Sequence, residues 1–146
     1  MDLNEEFLSI VADRKALDEV TEIEIIFQPI KQLGGFDKCR QLRSLSVIST
    51  GLQTMSNMVP LAQTLTQLCL TDQDLTKIEG LEQLTRLRKL HLHRNKIEKI
   101  ENLDSCVALE ELWLTGNRIS KIENLESLGA LQELWLQNNN ITQLEN

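Results

Sequence analysis

Cys69, His91 and His93 are the residues of this 146-residue chain whose types and spacing could do chemistry. His91 and His93 stand two apart, so on an extended strand both imidazoles project from one face. Cys69 precedes His91 by 22 residues, and a repeat of that period would set it beside the imidazole. A thiol and two imidazoles suit zinc, and a thiol next to an imidazole begins a nucleophilic dyad. Structural zinc takes four closely set ligands, and only Asp72 offers itself as a fourth. An open strand face supplies no pocket, oxyanion donor or orienting third group. The metal-binding or thiol-catalytic reading at Cys69, His91 and His93 therefore ranks second, and no cofactor, bound metal or catalytic residue is expected. Trp113 and Trp135, the only two tryptophans, carry the leading reading, because Trp is the residue most enriched at binding hot spots.

The elements that position these residues follow from an internal repeat. Leu65, Leu87, Leu109 and Leu131 are spaced by 22 residues. The unit reads Leu-x-x-Leu-x-Leu-x-x-Asn-x-Ile-x-x-Ile-x-x-Leu-x-x-Leu-x-x, and the copy from Leu109 fills it completely with Leu112, Leu114, Asn117, Ile119, Ile122, Leu125 and Leu128. Upstream copies start at Val20, Leu42 and Leu65, with Gln28, Thr50 and Gln73 at the ninth position in place of Asn. The sixteenth position is Gly or Asn throughout: Gly35, Asn57, Gly80, Asn102, Asn124 and Asn146. Both types tolerate positive φ, which predicts a sharp turn into a short helical segment once per repeat. Within each unit, Leu-x-Leu with polar neighbours alternates at period two, the pattern of a strand with one buried face. With 3% aromatic residues, Leu and Ile must fill the core.

This pattern resembles the leucine-rich repeat family, and the 22-residue unit with Asn-x-Ile-x-x-Ile-x-x-Leu is similar to the subtype of a nuclear protein phosphatase-1 regulator and of axonemal and ciliary proteins. The resemblance implies an α/β repeat: a right-handed solenoid with a concave parallel β-sheet, closed by an N-terminal helical cap. It also implies that the ninth-position Asn turns the chain after each strand and bonds backbone groups of adjacent turns. That ladder reads as intact only at Asn95, Asn117 and Asn139, so the first three repeats are expected to be less regular. The domain reading is a cap over 1–19 and repeats over 20–41, 42–64, 65–86, 87–108, 109–130 and an incomplete 131–146. Asn4 suits the N-cap of a helix opening on Glu5 and Glu6, with Phe7, Leu8, Ile10 and Val11 at helical spacing.

In such a scaffold function belongs to residues that alternate with the buried leucines. The fifth position reads Glu24, Ser46, Cys69, His91, Trp113 and Trp135, which makes the tryptophans neighbours on the concave sheet. Glu111 and Glu133 flank them at the third position, so a partner presenting Arg or Lys beside an apolar anchor would fit. The fourth repeat is basic: Lys89, His91, His93 and Arg94 sit on or beside its strand. The expected site is therefore Trp113, Trp135, Glu111, Glu133, Lys89, His91, His93 and Arg94, binding another protein. From the family resemblance, a phosphatase catalytic subunit or an axonemal motor component are the partner classes implied.

Net charge −7 and the absence of aromatic interleaving in the basic repeat argue against nucleic acid. No apolar run is long enough to span a membrane, and the acidic start, Met1 to Glu6, is unlike a secretory signal. Three well-separated cysteines, Cys39, Cys69 and Cys106, read as free thiols of an intracellular protein, in cytoplasm, nucleus or cilium. Lys77, Lys99 and Lys121 on the convex side form a column beside Glu79, Glu101, Glu123 and Glu145, a solvated face. The sixth repeat stops at Asn146 without its last apolar positions. Leu125, Leu128 and the strand from Leu131 to Leu136 are then expected to be partly uncovered, either because the natural chain runs on or because the edge is covered in an end-to-end dimer.

Overall fold

In the computed structural model, which describes residues 3–144, the repeat becomes a solenoid. The strands are β1 Glu22–Ile26, β2 Ser44–Ile48, β3 Gln67–Thr71, β4 Lys89–His91, β5 Glu111–Trp113 and β7 Glu133–Trp135. They form one parallel sheet in the order β1-β2-β3-β4-β5-β7. Every pairing is in register at the repeat spacing: Glu24 faces Ser46, Ser46 faces Cys69, Cys69 faces His91, His91 faces Trp113, and Trp113 faces Trp135. A second, two-stranded sheet pairs β6 Lys121–Ile122 with β8 Gln143–Leu144. Among the described residues no helix is long and apolar enough to cross a membrane.

The interior is a continuous stack of Leu and Ile from Leu3 to Leu128, with nearly all of these side chains shielded from water. Burying each such side chain contributes about 1.5–3 kcal/mol, against about 0–1 kcal/mol for an exposed ion pair, so the leucine column sets stability. Convex ion pairs such as Lys121 to Glu123 at 3.6 Å are minor beside it. Cys39 and Cys106 belong to this core, and burial pushes the Cys106 thiol up to about 11.

The sixteenth position turns as its residue types imply. Gly35, Asn57, Gly80, Asn102 and Asn124 all have positive φ, while Asn146 lies outside the described residues. Each of the three Asn side chains then donates to a carbonyl one turn back: Asn57 to Leu33, Asn102 to Ile78 and Asn124 to Ile100. Gly80 has a second reason to lack a side chain, since a Cβ there would clash with the Met55 carbonyl oxygen. Among the described residues, short helical segments follow only in the first two repeats, as 3₁₀ turns at Phe36–Lys38 and Val59–Leu61. In later repeats the return is made of non-helical turns.

The ninth-position ladder is longer than its Asn residues suggest. Gln73 is buried, accepts from Thr50 N, Thr50 Oγ1 and Leu52 N, and donates to the Val47 and Thr71 carbonyls. Asn95 donates to Leu70 and Leu92 and accepts from Leu75 N, and Asn117 repeats the same geometry one turn on. The extra methylene of Gln73 is absorbed because Thr50 contributes its hydroxyl to the same network. The ladder therefore reaches back to the third repeat, while Gln28 in the first repeat is exposed. The first three repeats carry the five-residue strands, and the main-sheet strands of the later repeats have three residues.

At the N-terminus α1, Glu5–Val11, is capped by Asn4, whose side chain accepts from Phe7 N at 2.9 Å. The cap lies directly on Gly35, where a Cβ would meet the Asn4 backbone at 2.8 Å, and Lys38 pairs with Glu5 at 2.8 Å. Leu3, Leu8, Ala12 and Leu17 are buried under it, but Ile10 faces away and is exposed. At the other end Leu125, Leu131, Leu134, Leu136 and Ile141 are only partly buried, whereas Leu128 is covered.

Candidate binding face

The fifth-position column of the parallel sheet places one ring on each of three consecutive strands. In-register strands are about 4.8 Å apart, close to the stacking distance of aromatic planes. His91 and Trp113 accordingly stack with centroids 3.8 Å apart and planes 7° from parallel, and Trp113 and Trp135 stack at 4.7 Å and 19°. His93, two residues along β4, tilts toward Trp113 at 6.4 Å. The two tryptophans therefore differ. Trp113 is held between two rings, and its buried indole Nε1 has no hydrogen-bond partner among the described residues. Trp135 ends the column and is 44% exposed.

Charge around the column is already partly matched. Lys89 Nζ lies 2.7 Å from Glu111, and His91 Nε2 lies 3.2 Å from its other carboxylate oxygen. Hydrogen bonding from Lys89 holds the Glu111 carboxyl below its usual range. Burial pushes His91 down, outweighing the upward pull of Glu111, so at neutral pH the uncharged ring donates Nε2–H to the carboxylate. His93 is pushed down by burial and by the neighbouring His91 and Arg94. Arg94 turns away from the column at the strand end, 3.6 Å from Asp72, which also accepts from Ser49. Of the two glutamates expected to flank the tryptophans, Glu111 is consumed by Lys89 and His91, and Glu133 stays exposed.

Cys69 and His91 are lateral neighbours, as the repeat implies, but each has another partner. Cys69 Sγ lies 3.1 Å from Thr71 Oγ1, and His93 Nδ1 lies 3.4 Å from the same hydroxyl. Among the described residues no group of three or more His, Cys, Asp or Glu side chains is arranged to hold a metal ion. The imidazole that a dyad or zinc site would need is committed to Trp113 and Glu111.

The eighth position, just after each strand, has positive φ in every repeat: Phe27, Ser49, Asp72, Arg94, Gly116 and Asn138. Only Asp72, Gly116 and Asn138 are types that signal it. Phe27 takes this conformation while 76% exposed, beside exposed Ile26, which gives the first turn a small apolar patch at the strand ends.

Comparison with known proteins agrees with this architecture. A family profile described as leucine-rich repeats, two copies, matches residues 63–105 and 107–146, more than half of the chain. Among solved structures the chain is similar to an internalin of Listeria monocytogenes, with a TM-score of 0.71 and 23% identity over 95% of this chain. It spans 39% of that internalin, and at this identity the likeness shows the fold alone. No curated protein matches the sequence.

Proposed function

The chain belongs to the leucine-rich repeat family, and from that premise we propose that it is a non-catalytic scaffold that binds another protein through the concave sheet. The observation that carries this reading is the ring column ending at Trp135. A large aromatic surface is left open on a rigid sheet, while Trp113 beneath it forgoes a hydrogen bond that costs about 1–3 kcal/mol to leave unmade. Stability alone does not favour that arrangement, whereas a pre-ordered aromatic anchor suits recognition. Trp113 and Trp135 supply the anchor, and His91 and His93 its side wall. Glu133 supplies open negative charge for an Arg or Lys of the partner, and Lys89, Glu111 and Arg94 form the polar surround.

The 22-residue repeat subtype supports two partner classes, a phosphatase catalytic subunit and an axonemal motor component, and with them a cytoplasmic, nuclear or ciliary setting. The test is affinity capture from a ciliated-cell extract with wild type and Trp135→Ser, reading bound proteins by mass spectrometry, followed by direct titration of the captured partner. Retention by wild type and loss by the variant is the expected result. Equal retention by both forms would move the site off the concave sheet. An end-to-end dimer through the partly buried Leu131 to Leu136 edge is the second assembly to check, by sedimentation across a concentration series.

A further inference from the structure

The loops that enter the strands build a second surface on the solenoid's side, which meets the concave face at Gln67 and Lys89. Arg43, Thr66 and Arg88 hold equivalent places on consecutive turns, since Thr66 N donates to Arg43 O and Arg88 N to Thr66 O. With Arg40 and Arg86 they line a groove of about 490 Å³, shared with three glutamines and Thr64. Arg40 and Arg43 have no ion pair among the described residues, and Arg86 spends one N–H on the Gln63 carbonyl at 2.8 Å. Glu110 closes the far end, where it meets Arg88 at 3.2 Å. Four arginines thus line one groove in a chain whose net charge is −7. The buried Thr64 hydroxyl of the groove wall has no hydrogen-bond partner among the described residues.

We propose that this groove binds an acidic, extended peptide segment of a partner protein, running across the turns with carboxylates on Arg43 and Arg86/Arg88. Two turns separate Arg43 from Arg88, about 10 Å at the spacing of parallel strands, which one turn of a polyproline-II peptide spans with its first and fourth side chains on the same side. Acidic residues three apart therefore fall on successive guanidinium groups, each able to take a carboxylate bidentately. Gln41, Gln63 and Gln67 offer both a donor and an acceptor, the match for a peptide backbone, whereas phosphates present acceptors only. No aromatic side chain lines the groove to stack a base, and the overall negative charge repels a long nucleic acid.

The test is fluorescence anisotropy of the whole chain with a short labelled peptide carrying glutamate at every third position, alongside its glutamine counterpart. The glutamate peptide is expected to bind, more weakly as salt rises, and the glutamine peptide to fail. Arg43→Gln/Arg86→Gln should weaken binding by about tenfold or more, and Trp135→Ser should leave it unchanged. Equal binding of both peptides overturns the proposal, as does unchanged affinity in the double variant. Displacement by equimolar inorganic phosphate would make this a single-anion site, and tighter binding of an oligouridylate would make it a nucleic-acid site. Either result also overturns it. If circular dichroism shows the double variant misfolded, phenylglyoxal labelling of wild type decides: protection of Arg43 and Arg86 by the glutamate peptide supports the assignment, and unchanged labelling refutes it. Lys89 borders both surfaces, but Trp135 plays no part in this groove, so Trp135→Ser separates this outcome from that of the concave face.

Discussion

The first three turns and the last three are built from the same repeat and solve different problems. Strands β1 to β3 are five residues long, carry no ring on the concave face but Glu22, Glu24, Ser46, Ile48 and Gln67, and end in a network organised by Gln73 and Thr50. Strands β4, β5 and β7 are three residues long, carry the ring column and its charges, and rest on Asn95, Asn117 and Asn139. The ladder is best sealed where its signature is weakest: Gln73 is buried with five hydrogen bonds, while Asn139 is only partly buried. The second half thus holds the ring column over a less completely covered core, while the arginine groove lies mostly on the first half.

The sharpest way to break this comparison is to remove the ladder from each half. Gln73→Ala would strand Thr50 N, Leu52 N and the Val47 carbonyl without partners and should lower stability by about 3 kcal/mol or more, whereas Asn139→Ala, closer to solvent, should cost about 1 kcal/mol. Urea denaturation of both variants measures the difference. An equal loss would mean that Gln73 is not the structural equal of the Asn residues.

A smaller effect separates the two tryptophans. Trp113→Ala should destabilise by about 2 kcal/mol through lost stacking on both faces, and Trp135→Ala by less than about 1 kcal/mol, since it packs on one side only. Thermal unfolding compares them. The reverse order would make Trp135 a structural residue and weaken its reading as a binding anchor.

The smallest effect expected is a pH dependence confined to the second half. His91 and His93 are held below their ordinary 6.5 by burial, so just below pH 6.5 the unfolded chain binds more protons than the folded one. Their contribution to stability is complete above pH 6.5 and is lost as pH falls below it. Glu111, held below 4.5 chiefly by Lys89, adds a further loss when it protonates at lower pH. Unfolding midpoints measured from neutral to acid should decline, and His91→Gln/His93→Gln should flatten the first part of that decline. An unaltered curve would show that the rings are not buried in the stack.

Much of this was legible in advance because a repeat states each fact several times. The period located the strands, the register, the Cys69–His91–Trp113–Trp135 column and the turns at Gly35, Asn57, Gly80, Asn102 and Asn124. What escaped the sequence were substitutions of role. Gln73 replaces Asn because Thr50 on the preceding turn completes its bonds, and Phe27 accepts positive φ because the hydrogen bond from its amide to Ile48 O fixes the strand end. Ile10 has helical spacing but lies on the outer side of a seven-residue helix that buries only Leu8 completely.

A parallel solenoid with a leucine core and an aromatic pair on one face follows from the repeat, since apolar spacing dictates what must be buried together. How those surface residues are used depends on the stacked turns. It matched Glu111 with Lys89 and His91, covered Trp113 while leaving Trp135 open, and gathered the arginines of separate turns into one groove. Spacing places side chains in columns, but whether neighbours satisfy one another or remain free depends on distances of a few ångströms, which only the stacked turns fix.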